Sequence, residues 1–264
     1  MDKSIQEKIQ KRIKANRIVG LMRFRDSFSS SKGKHSWDLC GYPLYYWKMK
    51  VALEIKYLEK IVIWTDIKEA QYLAKEMSDK FVVISTTLDE FKEPIFKYLD
   101  DLKTPESRVP RARILYDLAD DSHVTPEIIE QIGFKPTLSV LLCVCTPLET
   151  SKSIDKLIEK YFEDDEAEEA YLVYQIPPFI LTPNLQHPQY LLDVSGFLGQ
   201  GGRHNLPTMY SPSGTFIRSY RWTSFTRKVF VEISEEDGKE IHTKNDLKFA
   251  EFYLKKRLKK EGKQ

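Results

Sequence analysis

The sequence predicts an α/β domain built on a doubly wound, mostly parallel sheet, and two observations carry that prediction. Short apolar runs, Ile18-Val-Gly-Leu-Met22, Lys60-Ile-Val-Ile-Trp-Thr65 and Phe81-Val-Val-Ile-Ser85, alternate with amphipathic stretches at 44–57 and 68–79. Strands separated by crossover helices pair in parallel, with right-handed connections. The run Thr137-Leu-Ser-Val-Leu-Leu-Cys-Val-Cys145 is the most strongly apolar in the chain and reads as the central strand, because a strand covered on both faces loses its alternation. Ligands of such sheets bind at the carboxyl ends of the strands.

The elements follow in order. Residues 2–15 place Ile5, Ile9 and Ile13 on one narrow helical stripe among charges, a short helix for the domain edge. The 44–57 helix puts Trp47, Val51 and Ile55 on one face. Helices are expected near Leu88–Leu102 and Thr125–Ile132, with an unassigned link at 104–124 between them. Ser151 is placed to cap a helix over Ile154–Phe162. Tyr171–Ile176, Thr215–Tyr220 and Lys228–Ile233 read as strands, Asp237-Gly238 as a turn, and Asp246–Leu258 as a closing helix. Residues 177–202 carry prolines, glycines and scattered aromatics without helical period, an extended arm suited to a dimer contact, a lid, or packing on its own domain.

Composition narrows the class. At 264 residues, with 41% hydrophobic and 30% charged residues, the chain suits one main core, a single domain over 1–264. No apolar run approaches the ~20 residues that span a bilayer. The start, Met1-Asp-Lys-Ser-Ile-Gln-Glu-Lys8, lacks the apolar core of a signal peptide. Cys40, Cys143 and Cys145 do not make a disulfide framework, so a reducing cytoplasm is the expected compartment. A net charge of +2 sets no general affinity for nucleic acid, and neither nucleic acid nor membrane is an expected partner.

The most informative stretch is Arg17-Ile-Val-Gly-Leu-Met-Arg23 with the loop behind it. A strand empties into a segment holding Arg23, Arg25, Lys32, Lys34 and the serines of 27–31, then closes on Gly41 and Pro43. Cations and backbone N–H groups just after a strand suit phosphate, although such a loop also serves another anion or solvent alone. No Gly-x-Gly-x-x-Gly follows the strand, which disfavours a dinucleotide site. Cys143 and Cys145 read as buried small hydrophobes in preference to a metal or redox pair.

Several separated pieces together resemble the CMP-sugar synthetases, the acylneuraminate, nonulosonate or Kdo cytidylyltransferases. Met22-Arg23, Gly33-Lys34 and Asp38-Leu-Cys-Gly41-Tyr-Pro43-Leu44 are similar to that family's first strand end and loop. Ile63-Trp-Thr65-Asp66 resembles its Thr-Asp strand end, and Thr146-Pro-Leu-Glu-Thr150 its Pro-Leu-Arg-Thr segment. Arg203-His-Asn-Leu-Pro207 with Ser213-Gly214-Thr215-Phe216, and Glu240-Ile-His242-Thr-Lys-Asn-Asp246, resemble its later motifs, in family order.

The resemblance implies a nucleotide-diphospho-sugar transferase-like, Rossmann-type fold and attack of a sugar hydroxyl on the α-phosphorus of CTP, releasing pyrophosphate. It implies Arg23 and Lys34 as catalytic phosphate contacts, with Arg25, Ser29 and Lys32 as helpers. His35 stands at a base-contacting position, or is a surface loop histidine. Cys143, Glu149 and Arg203 stand on the sugar side; Glu149 replaces a cation there and would repel a sugar carboxylate, which points to a modified acidic sugar or to Arg203 as its holder. Glu240 and His242 take the place of the family's metal-binding aspartates, for Mg²⁺ or, given the imidazole, Mn²⁺, or form an exposed strand edge. The arm implies a homodimer. A catalytically inactive nucleotide-binding or partner-binding descendant is the alternative.

Overall fold

Parallel pairing about the first strand organises the molecule. The structure is a computed structural model and is described for residues 3–25, 33–85, 126–176, 208–219 and 227–262. After helix α1 (Lys3–Lys14), β1 (Ile18–Arg23) enters the sheet, and a single 3₁₀ turn (Lys34–Ser36) leads to the hairpin β2 (Asp38–Leu39) and β3 (Tyr42–Pro43). There follow α2 (Leu44–Glu54), β4 (Lys60–Thr65), α3 (Lys68–Met77) and β5 (Phe81–Ser85). The rest is α4 (Pro126–Ile132), β6 (Leu138–Leu141), α5 (Ser151–Glu163), β7 (Ala167–Ile176), β8 (Met209–Ser219), β9 (Arg227–Glu232), α6 (Glu235–Gly238) and α7 (Lys244–Lys260).

Among the described residues the main sheet has the order β5-β4-β1-β6-β8-β7-β9. β1 runs parallel to β4 and β6, β4 to β5, and β7 to β9, whereas β8 is antiparallel to both neighbours. The predicted doubly wound, mostly parallel sheet is therefore present, with β6 in its middle. Period two sorts the side chains of β1 and β4: Ile18, Met22, Ile61 and Ile63 enter the larger core, while Val19, Leu21 and Val62 pack with Ile132 on the opposite face.

Local chemistry sets most boundaries. Thr150, one residue before the expected Ser151, caps α5 by accepting the Ser153 N–H at 3.2 Å, in a reciprocal capping box. Thr243 and Asp246 do the same for α7. Cys40 and Gly41 have φ of 53° and 84°, the left-handed pair that a two-residue hairpin turn requires. Three expectations are corrected. β6 stops at Leu141, because the chain turns where Thr146 N–H donates to the Cys143 carbonyl at 3.3 Å. Asp237-Gly238, expected as a turn, ends a short helix capped by Ser234. Ile5 is 44% exposed, so only Ile9 and Ile13 of the α1 stripe are buried. The expected helix at 88–102, the link at 104–124 and the arm at 177–202 lie outside the described residues.

Candidate active site

Because β1, β4 and β6 are parallel, their carboxyl ends meet at one edge of the sheet, and Arg23 stands in register with Trp64. A cleft of ≈ 200 Å³ opens there, lined among others by Met22, Arg23, Trp64, Cys143, Gly214 and Phe216. The Arg23 guanidinium lies 4.9 Å from the Trp64 ring centre, which fixes a long cation at low entropic cost. Desolvation, followed by the charge of Arg25, lowers the Arg23 pKa. Desolvation also lowers that of Arg25, against the opposing pull of Asp66, so the Thr65-Asp66 strand end faces this cation-rich edge as expected.

Beyond β1 the chain is anchored by Phe24, which is 2% exposed, donates its N–H to the Trp64 carbonyl at 3.2 Å and stacks on Tyr45 at 5.6 Å. The 3₁₀ turn brings Lys34 into the wall, where its side chain is buried and its charge reaches Cys145 and Glu240. His35 Nδ1–H donates to the Arg25 carbonyl at 2.7 Å, and its Nε2 lies 3.7 Å from Cys145 Sγ. The two feet of the loop are thereby tied together. Both ring nitrogens of His35 are used inside the wall, so the expected base contact through them is corrected to a structural one; only the ring faces remain for a ligand.

The far wall comes from β6, β8 and the connector after α6. Ile241 is fully buried and donates its N–H to the Cys145 carbonyl at 2.8 Å, which turns Glu240 and His242 to the other side. This segment is extended but belongs to neither a strand nor a sheet edge, a correction to the expected late strand. Glu240 Oε2 lies 3.0 Å from His242 Nε2. Desolvation raises the Glu240 pKa and the Cys145 charge adds to it, while His242 and Lys34 oppose the rise. Gly214 makes the arrangement possible: a Cβ there would sit 2.6 Å from Cys143 Sγ and 2.9 Å from Glu240 Oε1.

The two cysteines differ sharply. A hydrogen bond from the Cys143 thiol, with help from His35 and the Lys34 charge, outweighs burial and holds Cys145 well below the ordinary thiol range. That same bond, together with burial, pushes Cys143 up. Among the described residues no three His, Cys, Asp or Glu side chains converge in a metal-binding group. One carboxylate, Glu240, suits a hard divalent cation only where phosphate oxygens complete its shell.

Glu149 is not on the cleft. It is 1% exposed, and its carboxylate accepts from Lys48 Nζ at 2.5 Å, from Ser213 Oγ at 2.5 Å and from the Thr215 hydroxyl. The substrate-side expectation for Glu149 is therefore corrected: its charge is neutralised inside the core by Lys48. Lys48 itself went unremarked in the sequence, although it falls between Leu44 and Ala52 at helical i, i+4 spacing on a buried stripe. A lysine at such a position signals a buried acidic partner. Trp64, Phe216 and Gly214 also complete the cleft without having been singled out as site residues, since only the packing of four strands gathers them. Ser29, Lys32 and Arg203 lie outside the described residues.

Residues 29–109 match the family model described as cytidylyltransferase. No curated protein sequence matches the chain. Among solved structures the chain is similar to a CMP:2-keto-3-deoxy-manno-octonic acid synthetase complexed with CTP, with TM-score 0.56, 10% identity, and coverage of 92% of this chain and 100% of that one. It is also similar to 4-diphosphocytidyl-2C-methyl-D-erythritol synthase from Anaerococcus prevotii DSM 20548, with TM-score 0.55, 10% identity, and coverage of 92% and 98%. The bifunctional IspDF from Campylobacter jejuni gives TM-score 0.52 and 15% identity over 88% of this chain and 54% of that one. At these identities the structural likeness speaks to fold alone. The chain therefore shares the α/β fold of these structures, and its segment 29–109, which begins in the cation-rich loop, is similar to the cytidylyltransferase model.

Proposed function

We propose that the chain is a CTP-dependent sugar nucleotidyltransferase that forms a CMP-activated acidic or modified sugar plus pyrophosphate, for surface glycan synthesis. One observation carries the reading: Arg23, Arg25 and Lys34 gather at the carboxyl edge of β1, where the segment matching the cytidylyltransferase model begins. In the proposed reaction a sugar hydroxyl attacks the α-phosphorus and pyrophosphate leaves. Arg23 and Lys34 offset the charge that builds on the phosphate oxygens, worth most in a desolvated cleft. Ser29 and Lys32 belong to the same proposed loop, and Arg203 is the proposed holder of the sugar carboxylate. Glu240 and His242 are the proposed anchors of a divalent cation, Mg²⁺ or Mn²⁺. When bound, that cation supplies further charge neutralisation at the phosphates. Cys143 on the cleft wall limits the space open to the sugar. The proposed working form is a homodimer in the cytoplasm.

A specific observation favours keeping an inactive, nucleotide-binding descendant as the second reading: Glu240 is a lone carboxylate already bridged to His242. Pyrophosphate release from CTP, with a panel of nonulosonic acids and Kdo and with Mg²⁺ or Mn²⁺, separates the two. Turnover that disappears in Arg23→Ala and Lys34→Ala supports the enzyme. A CTP-dependent rise in thermal midpoint without pyrophosphate release supports the descendant. If none of the four nucleoside triphosphates at millimolar concentration with metal shifts the midpoint, both readings fail.

A further inference from the structure

The cleft wall holds a dithiol and an imidazole that the proposed transfer does not use. Cys143 and Cys145 flank Val144 in the turn that follows β6, and the Thr146 N–H and hydroxyl both donate to the Cys143 carbonyl, at 3.3 and 2.9 Å. This turn keeps Cys143 and Cys145 close enough that each shifts the other, Cys143 upward and Cys145 downward in pKa. The Cys145 sulfur lies 3.7 Å from His35 Nε2, and the imidazole is held there because Nδ1–H donates to the Arg25 carbonyl at 2.7 Å. Cys143 is half-buried and forms part of the cleft surface, while Cys145 sits behind it at 8% exposure. Cys40 has a different setting: its thiol faces the Glu251 carbonyl at 3.9 Å, and burial and the Glu251 charge push its pKa up.

We propose that Cys143, Cys145 and His35 form a peroxide-sensitive dithiol site in the cleft wall, whose oxidation to a Cys143–Cys145 disulfide detaches that wall from the turn carrying Lys34. The Cys145 sulfur is the nucleophile: its proton passes to His35 Nε2, 3.7 Å away, and leaves the thiolate, since thiolates, not thiols, attack. Its sulfur forms a bond to one oxygen of hydrogen peroxide while the O–O bond breaks. The departing hydroxide takes back the proton that His35 Nε2 received from the Cys145 thiol and leaves as water. Sulfur is oxidised by two electrons to a sulfenic acid and peroxide is reduced. Cys143, two residues away in the same turn, then displaces the sulfenic hydroxyl: the S–S bond forms, the S–O bond breaks, and the Cys143 proton leaves with the hydroxyl as a second water. Closing the S–S distance to about 2.05 Å draws Cys145 away from His35. His35 follows Lys34 in the 3₁₀ turn, so that turn loses its tie to the end of β6.

The thiol chemistry stands on its own, whereas its consequence for ligand binding rests on the proposed function. The test treats the full chain with stoichiometric hydrogen peroxide and maps thiols by peptide mass spectrometry. The expected result is loss of two hydrogens from the peptide holding 143–145 before Cys40 is modified, reversed by dithiothreitol. Cys143→Ser should stop at a sulfenic acid on Cys145 that a dimedone-type reagent traps. His35→Ala should slow the reaction at least tenfold, with His35→Gln as a second variant should the alanine protein fold poorly. Modification of Cys40 at an equal or faster rate, or a 143–145 peptide that stays reduced, overturns the site. Oxidised protein should also lose a CTP-dependent thermal shift that the reduced protein shows; an unchanged shift overturns the link to the Lys34 turn. A disulfide that forms in a protein with no CTP shift in either state overturns the nucleotide reading and leaves the dithiol site standing.

Discussion

Replacing Lys48 with methionine tests how the inner wall of the cleft is held. Lys48 Nζ lies 2.5 Å from Glu149 Oε2, and both side chains are 0% exposed. Methionine keeps most of the apolar stem and removes the ammonium, which leaves Glu149 with the hydroxyl donors of Ser213 and Thr215 but no counter-charge. Removing one partner of a buried ion pair costs about 3–5 kcal/mol, because the remaining charge keeps its desolvation cost and loses its compensation. Glu149→Gln is expected to cost a similar amount by stranding the ammonium. In the double variant both charges are gone, so its destabilisation should fall short of the sum of the singles by about 2–3 kcal/mol. Equilibrium urea unfolding of the four proteins, with midpoints compared at a common slope, measures this cycle. A cost below about 1 kcal/mol for Lys48→Met, the size found for exposed pairs, or strict additivity in the double variant, would refute the assignment of a dry, mutually dependent pair.

Three further outcomes follow from the same geometry. Burial pushes the Glu169 carboxyl up, but hydrogen bonds from Lys228 and Tyr171 and the charges of Lys228 and Arg218 prevail and leave its pKa lowered. A lowered folded pKa stabilises above the unfolded carboxylate value, near ~4.3, and that contribution fades as pH falls through the folded value. Glu169→Gln should therefore cost about 3 kcal/mol at pH 7, and its gap from the native chain in urea midpoint should close on acidification below that range; a pH-independent gap contradicts the ion pairing. Gly214→Ala would place a Cβ 2.6 Å from both Cβ and Sγ of Cys143, so a loss of about 1–3 kcal/mol in thermal unfolding and of any CTP-dependent shift is expected. Cys40 occupies the first left-handed position of the β2–β3 turn, where asparagine before Gly41 is preferred, so Cys40→Asn should raise the urea-derived stability by about 0.5 kcal/mol; a drop would mean that the contact of its thiol with Glu251 matters more than turn conformation.

Much of the scaffold was readable because its signals are local. The apolar runs at β1, β4 and β5 are bounded by charged or polar residues, and both helix α3 and helix α7 begin within two residues of their expected starts. The end of β6 was not readable: Cys143 and Cys145 continue the apolar pattern of the strand, and only the Thr146 hydrogen bonds show the chain turning there. Glu240 and His242 were placed on one side by their spacing, and they do form a pair, but the connector that holds them is fixed by Ile241 against the Cys145 carbonyl and not by strand pairing.

The residues of the candidate site divide in the same way. Arg23, Arg25 and Lys34 stood out because cations directly after a buried strand are uncommon without an anion to meet, and the parallel sheet brings the Arg23 end beside the Thr65-Asp66 end. Sequence alone determined the α/β architecture and the cations Arg23 and Arg25 at the end of β1, since hydrophobic period and strand order are properties of short windows. Tertiary structure alone decided what those side chains meet. Glu149 was turned from a substrate contact into a core ion pair by a lysine 101 residues away, and Cys145 acquired a histidine partner 110 residues away. Charge pairing acts through space over a few ångströms, so whether a carboxylate faces a ligand or a buried ammonium depends on packing that no local pattern records.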